Sequence, residues 1–412
     1  KDTNVPLLAV VSSAFPPQVS GSAILLDNLL SGFRGRTIVL AGFDTYSQVD
    51  STFAGYYGTI PLYVPRRFPR VNTQLRVKLP SLAYRVLEFE VRRILRNQLP
   101  HVVLAAYPYD TYLVATFLAA TSLNTPFYAY MHDLWIENTT RGTPLGDFAR
   151  KWESRILKEA TRVLCMTEAM QDHYHRKYGI RADLMPHAIS RQTLVSAPSG
   201  ILPSQTAKPT VLFVGTVSPP MNLDALKKLA AAAELLPDEY EIIFCTPSSI
   251  ASLRDMGIST TRVKVKYLAR PEVQALQSRV NVLIAPLSHK NCSADEVRTV
   301  FSTKLLEYLV SGRPIIIFGP EGCYHVDSAR NGRWAHVVTE DSPVALAKAI
   351  VEVTKNDRLS SMLVQGALKE AKARDAKFFG EKLYQWVIAD ALGGAVNNPN
   401  ARRRAAESRT HE

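Results

Sequence analysis

The sequence predicts an α/β protein made of two Rossmann-like domains in series. Three observations carry this. Short β-branched or apolar runs alternate with amphipathic stretches over most of the chain, the pattern of repeated βα units around a parallel sheet. The alternation breaks once, at residues 190–209 (SRQTLVSAPSGILPSQTAKP), where three Pro and four Ser leave little periodicity, and then restarts. A length of 412 residues, at roughly 150 per domain, allows two or three domains with real cores.

In the first half the expected strands are Leu7–Ser13, Thr37–Gly42, Pro61–Val64, Val102–Tyr107, Phe127–His132, Arg162–Met166 and Asp183–Pro186. Helical patterns fall between them at Ser22–Phe33, Leu75–Asn97, Thr111–Ala120, Phe148–Ala160 and Glu168–Tyr178. After the break, strands at Val211–Gly215, Glu241–Cys245, Val263–Tyr267, Val280–Pro286, Pro314–Phe318 and Ala335–Thr339 interleave with helices at Leu223–Ala233, Pro271–Gln277, Thr303–Val310 and Pro343–Thr354. Two last helices, Arg358–Ala373 and Ala376–Ala391, precede Gly393, Gly394 and an Arg-rich tail expected to be disordered. The domains are therefore 1–190 and 210–375, with 191–209 as linker and 393–412 as tail. Ligands of open parallel sheets lie beyond the carboxyl ends of the strands, so two such domains facing each other would enclose a cleft.

Apolar residues at 46% and charged residues at 21% exclude a disordered, collagenous or coiled-coil chain. Cys165, Cys245, Cys292 and Cys323 show no CxxC and no pairing pattern, which excludes a disulfide scaffold and points to a reducing, cytoplasmic compartment. The uncharged run Thr111–Met131 contains Thr121, Ser122, Asn124 and Pro126 and reads as helix, turn and buried strand rather than a membrane span. The only charged residues before the apolar run Val5–Phe15 are Lys1 and Asp2, and Asp2 spoils a positive n-region, so no secretion signal is expected.

The net charge is +12, from 49 Lys and Arg against 37 Asp and Glu. Nine of the bases (Arg66, Arg67, Arg70, Arg76, Lys78, Arg85, Arg92, Arg93 and Arg96) fall in residues 66–96 against Glu88 and Glu90. A solvated helix face and an anionic membrane surface both fit this segment; the second would make the protein peripheral on the cytoplasmic membrane face. No RRM, zinc-finger or helix-turn-helix pattern accompanies the charge, so nucleic acid is not expected as a partner.

Strand-end loops carry the candidate chemistry. Pro16 and Pro17 stop the first strand and Gly21 opens a helix, which allows backbone to approach an anion. His132 and Asp133 emerge where a buried strand ends. In VFSTKLLEYLVSGRPIIIFG (300–319), Ser302 or Thr303 is placed to cap a helix bearing Lys304 in its first turn and Glu307 three residues on, on the same face. A lysine at a helix N-terminus suits a diphosphate, and a carboxylate one turn away suits the two hydroxyls of a ribose; a surface ion pair between the two is the alternative. Gly312 ends this helix and Arg313-Pro314 leads into a strand.

The segment KLLEYLVSGRPII resembles the donor-binding helix of family 4 retaining glycosyltransferases of the GT-B fold. The resemblance extends through the loop at 16–21, HDLW at 132–135, ESRILKEATRVLCMTEAMQDHYHRKYG at 153–179, PHAI at 186–189 and VLFVGTV at 211–217. It implies an N-terminal acceptor domain, a C-terminal nucleotide-sugar donor domain, and a helix at 376–392 returning to the first domain. It further implies Gly21, Gly215 and Thr216 beside the donor diphosphate, His132 and Asp133 near the donor sugar, and Glu307 on the ribose. No metal is expected, since the chain has no Asp-x-Asp, and no cofactor beyond the nucleotide-diphosphate sugar. The chain departs from the family where Thr299 stands eight positions before Glu307 in place of a glutamate, and where Thr216 and Met221 replace an Arg and a Lys. Arg298 and Lys304 are the bases left to neutralise phosphate. The activity implied is metal-independent sugar transfer, with retention, to a glycan or lipid-linked acceptor. A nucleotide-sugar epimerase and a non-catalytic scaffold of the same fold are the alternatives.

Overall fold

The computed structural model describes residues 5–13, 15–16, 20–41, 58–61, 78–201, 206, 208–259, 261–291 and 294–395. Pro17, Gly42, the 62–64 part of the expected third strand, Arg66, Arg67, Arg70 and Arg76 of the basic segment, the 75–77 start of the expected second helix and Cys292 lie outside them, as does everything after Ala395. The chain divides into two compact units, 1–190 with 376–412, and 191–375.

The first unit holds β1 (Leu7–Ser12), β2 (Arg36–Ala41), β3 (Gly58–Pro61), β4 (Val102–Tyr107), β5 (Phe127–Met131), β6 (Arg162–Cys165) and β7 (Asp183–Leu184). They pair in the order β3-β2-β1-β4-β5-β6-β7, every pair parallel. LLAVVS of β1 and VVLAAY of β4 are buried at every position, as strands covered by helices on both faces must be. The order reverses between β1 and β4, which leaves a crevice above their carboxyl ends.

Helix Asp110–Ser122 explains the long uncharged run: nearly all its residues are buried, and Asn124, in a left-handed conformation, turns the chain into β5. No helix among the described residues is long and apolar enough to cross a membrane. Helix Pro144–Glu159 begins earlier than the apolar periodicity suggests, because the Thr143 hydroxyl accepts from Gly146 N and Pro144 occupies the first turn. Likewise helix Pro80–Gln98 has its proline in the first turn, with Leu79 before it at non-helical dihedrals (φ −134°, ψ 60°).

The C-terminal helix Ala376–Ala395 packs within the first unit. Its start is tied by Ala376 N to Ile189 O at 2.9 Å, and its Gly380 touches the backbone of Gly32 so closely that a Cβ would lie 2.0 Å from Gly32 C. Near its other end Asp390 accepts from Tyr128 Oη (2.5 Å) and Arg162 Nε (2.6 Å). The helix runs on through Gly393 and Gly394, placed by sequence in the tail, since glycine costs only about 1 kcal/mol against alanine in a helix.

The second unit repeats the design with β8 (Thr210–Val214), β9 (Glu241–Cys245), β10 (Val263–Lys266), β11 (Val282–Pro286), β12 (Ile315–Phe318) and β13 (His336–Val338). The order is β10-β9-β8-β11-β12-β13, again parallel, with the reversal between β8 and β11. Phe213, Phe244 and Phe318 from the sheet pack with Leu226, Leu229 and Ile350 from two helices to form its core. Four short helices were not expected: Arg191–Ser196 inside the supposed linker, Ile250–Asp255 capped by Ser249, Asp295–Thr299 and Tyr324–Gly332. Elements of one or two turns carry too few residues to show a 3.6-residue period. Cys165, Cys245 and Cys323 are unbridged, buried thiols.

Candidate functional site

The second unit gathers its chemistry where β8 ends. Gly215, the first residue past the strand, has φ 137°, a conformation open to glycine and strained for other residues. Its N–H donates to Cys245 O at 2.9 Å, which keeps the turn on the sheet. Opposite it stands the helix Lys304–Leu309, only six residues long and held by its buried face: Leu305, Leu306, Tyr308 and Leu309. Tyr308 is the bolt between helix and strand. Its hydroxyl accepts from Val214 N at 3.0 Å and donates to Ile284 O on β11 at 3.5 Å.

Lys304, half-buried, lays its ammonium 4.7 Å from the ring centroid of Phe213 and against Gly215, where a Cβ would lie 2.5 Å from Nζ. Desolvation lowers its pKa to about 8. Glu307 faces a different neighbour, the helix Arg270–Gln277. Arg270 Nε and Nη2 each donate to Oε1 at 3.2 Å, and Gln277 Nε2 donates to Oε2 at 3.3 Å. Lys304 and Glu307 are thus not the surface ion pair that their spacing allowed; each is held by residues from elsewhere in the unit.

Neither Ser302 nor Thr303 caps this helix through its side chain, contrary to expectation. Thr303 already has helical dihedrals (φ −55°, ψ −33°), so its hydroxyl cannot turn back onto the first N–H groups. The Ser302 N–H instead donates to Nε2 of buried His325 at 2.9 Å. That bond requires an imidazole lone pair, and burial, aided by the charges of Lys304 and Arg374, lowers the His325 pKa to about 3 and keeps it neutral. Thr216 is exposed, its carbonyl accepting from Asn222 Nδ2 at 3.2 Å, and Arg298 is exposed on the short helix Asp295–Thr299. Thr299 bonds its own helix through Asp295 O.

Arg270, Gln277, Phe213 and His325 were missed by sequence, as was Arg313. Nearly fully buried, Arg313 donates from Nε and Nη2 to Ser278 O at 2.9 and 2.6 Å, which pins the end of helix Arg270–Gln277 beside Glu307. The run GRPIII offered one signal, a cation preceding an all-apolar strand.

In the first unit, helix Gly21–Ser31 is capped by Ser20, whose side chain accepts from Ala23 N at 3.2 Å, with Gly21 exposed at its first position. The structure joins this helix to His132: Nδ1 lies 3.0 Å from Ser22 Oγ, and the imidazole meets the Tyr130 ring edge-on at 4.4 Å. His132 Nε2 is buried and has no hydrogen-bond partner among the described residues. Burial lowers the His132 pKa to about 3 and raises that of the half-buried Asp133. At neutral pH His132 is therefore an uncharged imidazole with one ring nitrogen unspent. The loop after it is anchored by Glu153, fully buried, which accepts from Ile136 N (2.8 Å), Lys177 Nζ (2.6 Å) and Tyr178 Oη (2.6 Å). Glu137 on that loop accepts from Lys177 and His173. These bonds outweigh the burial that opposes ionisation and lower its pKa to about 2.

The family description "Glycosyl transferase 4-like domain" matches residues 48–186, and "Glycosyl transferases group 1" matches residues 208–356. No curated protein matches the chain by sequence. Among solved structures, sucrose-phosphate synthase from Thermosynechococcus elongatus superposes with a TM-score of 0.66 at 14% identity, over 93% of this chain and 99% of that one. A glycosyltransferase from Rickettsia africae gives 0.65 at 12% identity over 93% and 99%. Anabaena HepE in complex with UDP gives 0.63 at 14% identity over 93% and 100%. The two parallel sheets, the two domain matches in this order and these superpositions agree: the chain belongs to the GT-B-fold glycosyltransferases that pair a 4-like domain with a group 1 domain.

Proposed function

We propose that this protein moves a sugar from a nucleotide-diphosphate donor to a glycan or lipid-linked acceptor, with retention of configuration and without a metal ion. The observation that carries the reading is the pair Lys304 and Glu307 on one short helix, the first against the glycine turn at the end of β8, the second clamped by Arg270 and Gln277. Glu307 keeps lone pairs for the ribose hydroxyls, while Lys304 offers a desolvated cation to the diphosphate. In the transfer, the bond from the anomeric carbon to the β-phosphate oxygen breaks and the acceptor oxygen bonds that carbon on the same face. The acceptor proton passes to the departing phosphate oxygen, whose growing charge Lys304 opposes. Neutral His132, held by Ser22, supplies Nε2 as a hydrogen-bonding group for sugar, and Asp133 stands beside it in the sequence. The HepE structure holds UDP, which makes UDP the first nucleotide to test. The acceptor is met, in this reading, at the cytoplasmic face of an anionic membrane.

Calorimetry with UDP tests the donor half. Charge-assisted bonds to a ribose contribute about 1.5–3 kcal/mol each, so Glu307→Ala is expected to weaken UDP about tenfold or more. Parental affinity in Glu307→Ala, or no binding of UDP, GDP or ADP by the parent, favours the non-catalytic scaffold instead.

A further inference from the structure

Helix Pro80–Gln98 carries the described part of the basic segment, and its charges are not its most unusual feature. Its inner face is ordinary: Ala83, Tyr84, Leu87, Val91, Ile94 and Leu95 are buried. The outer face exposes large apolar side chains in a row, Leu82 at 50%, Val86 at 52% and Phe89 at 61%, continuing the line of Leu79 at 54% just before the helix. The spacing of three and four residues puts Leu82, Val86 and Phe89 on one stripe of the helix, and Leu79 is exposed at its N-terminal end. Large apolar side chains scattered singly over a surface need no explanation, but three aligned on one helix beside a fourth at its start do.

Cations border the stripe. At 3.6 residues per turn, Arg85, Arg92, Arg93 and Arg96 fall with the apolar row inside an arc of roughly 120°, with Arg93 within the row and the others along one side, and Lys78 lies just before the helix. All but the half-exposed Arg92 are exposed. The helix's two acids lie at the margins of that arc and each takes one arginine: Glu88 holds Arg92 at 3.4 Å and Glu90 holds Arg93 at 2.6 Å. Lys78, Arg85 and Arg96 add the excess positive charge on this face.

We propose that this face is an interfacial surface that beds into an anionic lipid bilayer, with Leu79, Leu82, Val86 and Phe89 entering the headgroup–acyl boundary and the basic residues meeting lipid phosphates. A strip of exposed apolar side chains flanked by Arg and Lys is the composition of helices that lie in the membrane plane. The charges choose the occupant: with Arg92 and Arg93 offset by Glu88 and Glu90, a second copy of this chain would still set the excess cations Lys78, Arg85 and Arg96 against like charges, whereas an anionic surface complements them. The proposal deepens the membrane part of the function above. It replaces purely electrostatic docking, which salt removes, with insertion, which salt leaves partly in place.

The test uses the whole protein with vesicles of phosphatidylglycerol mixed into phosphatidylcholine, and vesicles of phosphatidylcholine alone. The parent is expected to sediment with the anionic vesicles, to bind the neutral ones far more weakly, and to keep part of its binding at high salt. The double variant Leu82→Ser/Phe89→Ser, both positions exposed, is expected to bind about tenfold or more weakly. In Phe89→Trp, vesicles are expected to shift the emission of the new indole to the blue. Parental sedimentation by the double variant, equal binding to neutral vesicles, or an unshifted indole each overturns the proposal. So does a solution dimer that the serine variant dissociates, which would make a second copy the occupant. UDP affinity, measured on the same samples, is expected to be unchanged by the serine substitutions. A parent that binds vesicles but none of UDP, GDP and ADP sinks the donor reading and leaves this one standing.

Discussion

The ammonium of Lys304 occupies the space that a side chain at position 215 would claim: a Cβ built on Gly215 lies 2.5 Å from Nζ. Glycine is required there twice over, by this approach and by φ 137°. Gly215→Ala is accordingly expected to lower stability by about 1–3 kcal/mol through backbone strain and to push the flexible lysine end off the Phe213 ring. Thermal unfolding reads the first effect. UDP calorimetry reads the second, with affinity expected to fall about tenfold; an unchanged affinity would mean that Lys304 does not need this seat.

How much of this was open to sequence reading follows from how far each residue's partners lie along the chain. Parallel sheets, strand-end addresses and the shared helix of Lys304 and Glu307 are local patterns, and KLLEYL displays the last of them in six residues. The groups that orient those side chains are distant. Arg270 is 37 residues from Glu307, and Ser22 is 110 residues from His132, so no periodicity links them. The capping expectation at Ser302 and Thr303 failed for a related reason: residue type suggests a cap, but the His325 bond to Ser302 N and the helical dihedrals of Thr303 are set by packing. In the basic segment charge was legible, whereas the exposure of Leu82, Val86 and Phe89 required knowing which face of the helix its neighbouring helices Asp110–Ser122 and Pro144–Glu159 cover.

His132 makes a prediction in acid. Burial lowers its folded pKa to about 3, against an ordinary value of 6.5. A depressed folded pKa means that the unfolded chain binds the proton first, so the contribution of the neutral imidazole is complete above about 6.5 and is lost as pH falls toward 3. His132→Asn is expected to flatten the fall of unfolding free energy across that window, by up to about 1.4 kcal/mol per pH unit. His325, with its pKa also lowered to about 3, keeps the remaining slope in that variant. Denaturant titrations at pH 7, 5.5 and 4.5 measure the difference, and parallel curves for parent and variant would show that His132 titrates normally.

Lys304 makes the opposite prediction for ligand and for fold, at alkaline pH. Desolvation lowers its folded pKa from 10.5 to about 8. Between those values the unfolded chain holds a proton that the folded chain has released, so the Lys304 contribution to stability rises with pH from about 8 to about 10.5. Binding of a diphosphate needs the charged form and runs the other way. UDP affinity is expected to be highest at pH 7 and to fall through pH 9, where most of the lysine is neutral. Lys304→Met removes both effects at once: weaker binding at pH 7, no further loss by pH 9, and a flatter alkaline stability profile. Its transfer rate in single turnover is expected to fall more than its affinity, because the cation matters most as charge gathers on the leaving diphosphate. A parent whose UDP affinity stays level from pH 7 to 9 would mean that Lys304 does not meet the diphosphate.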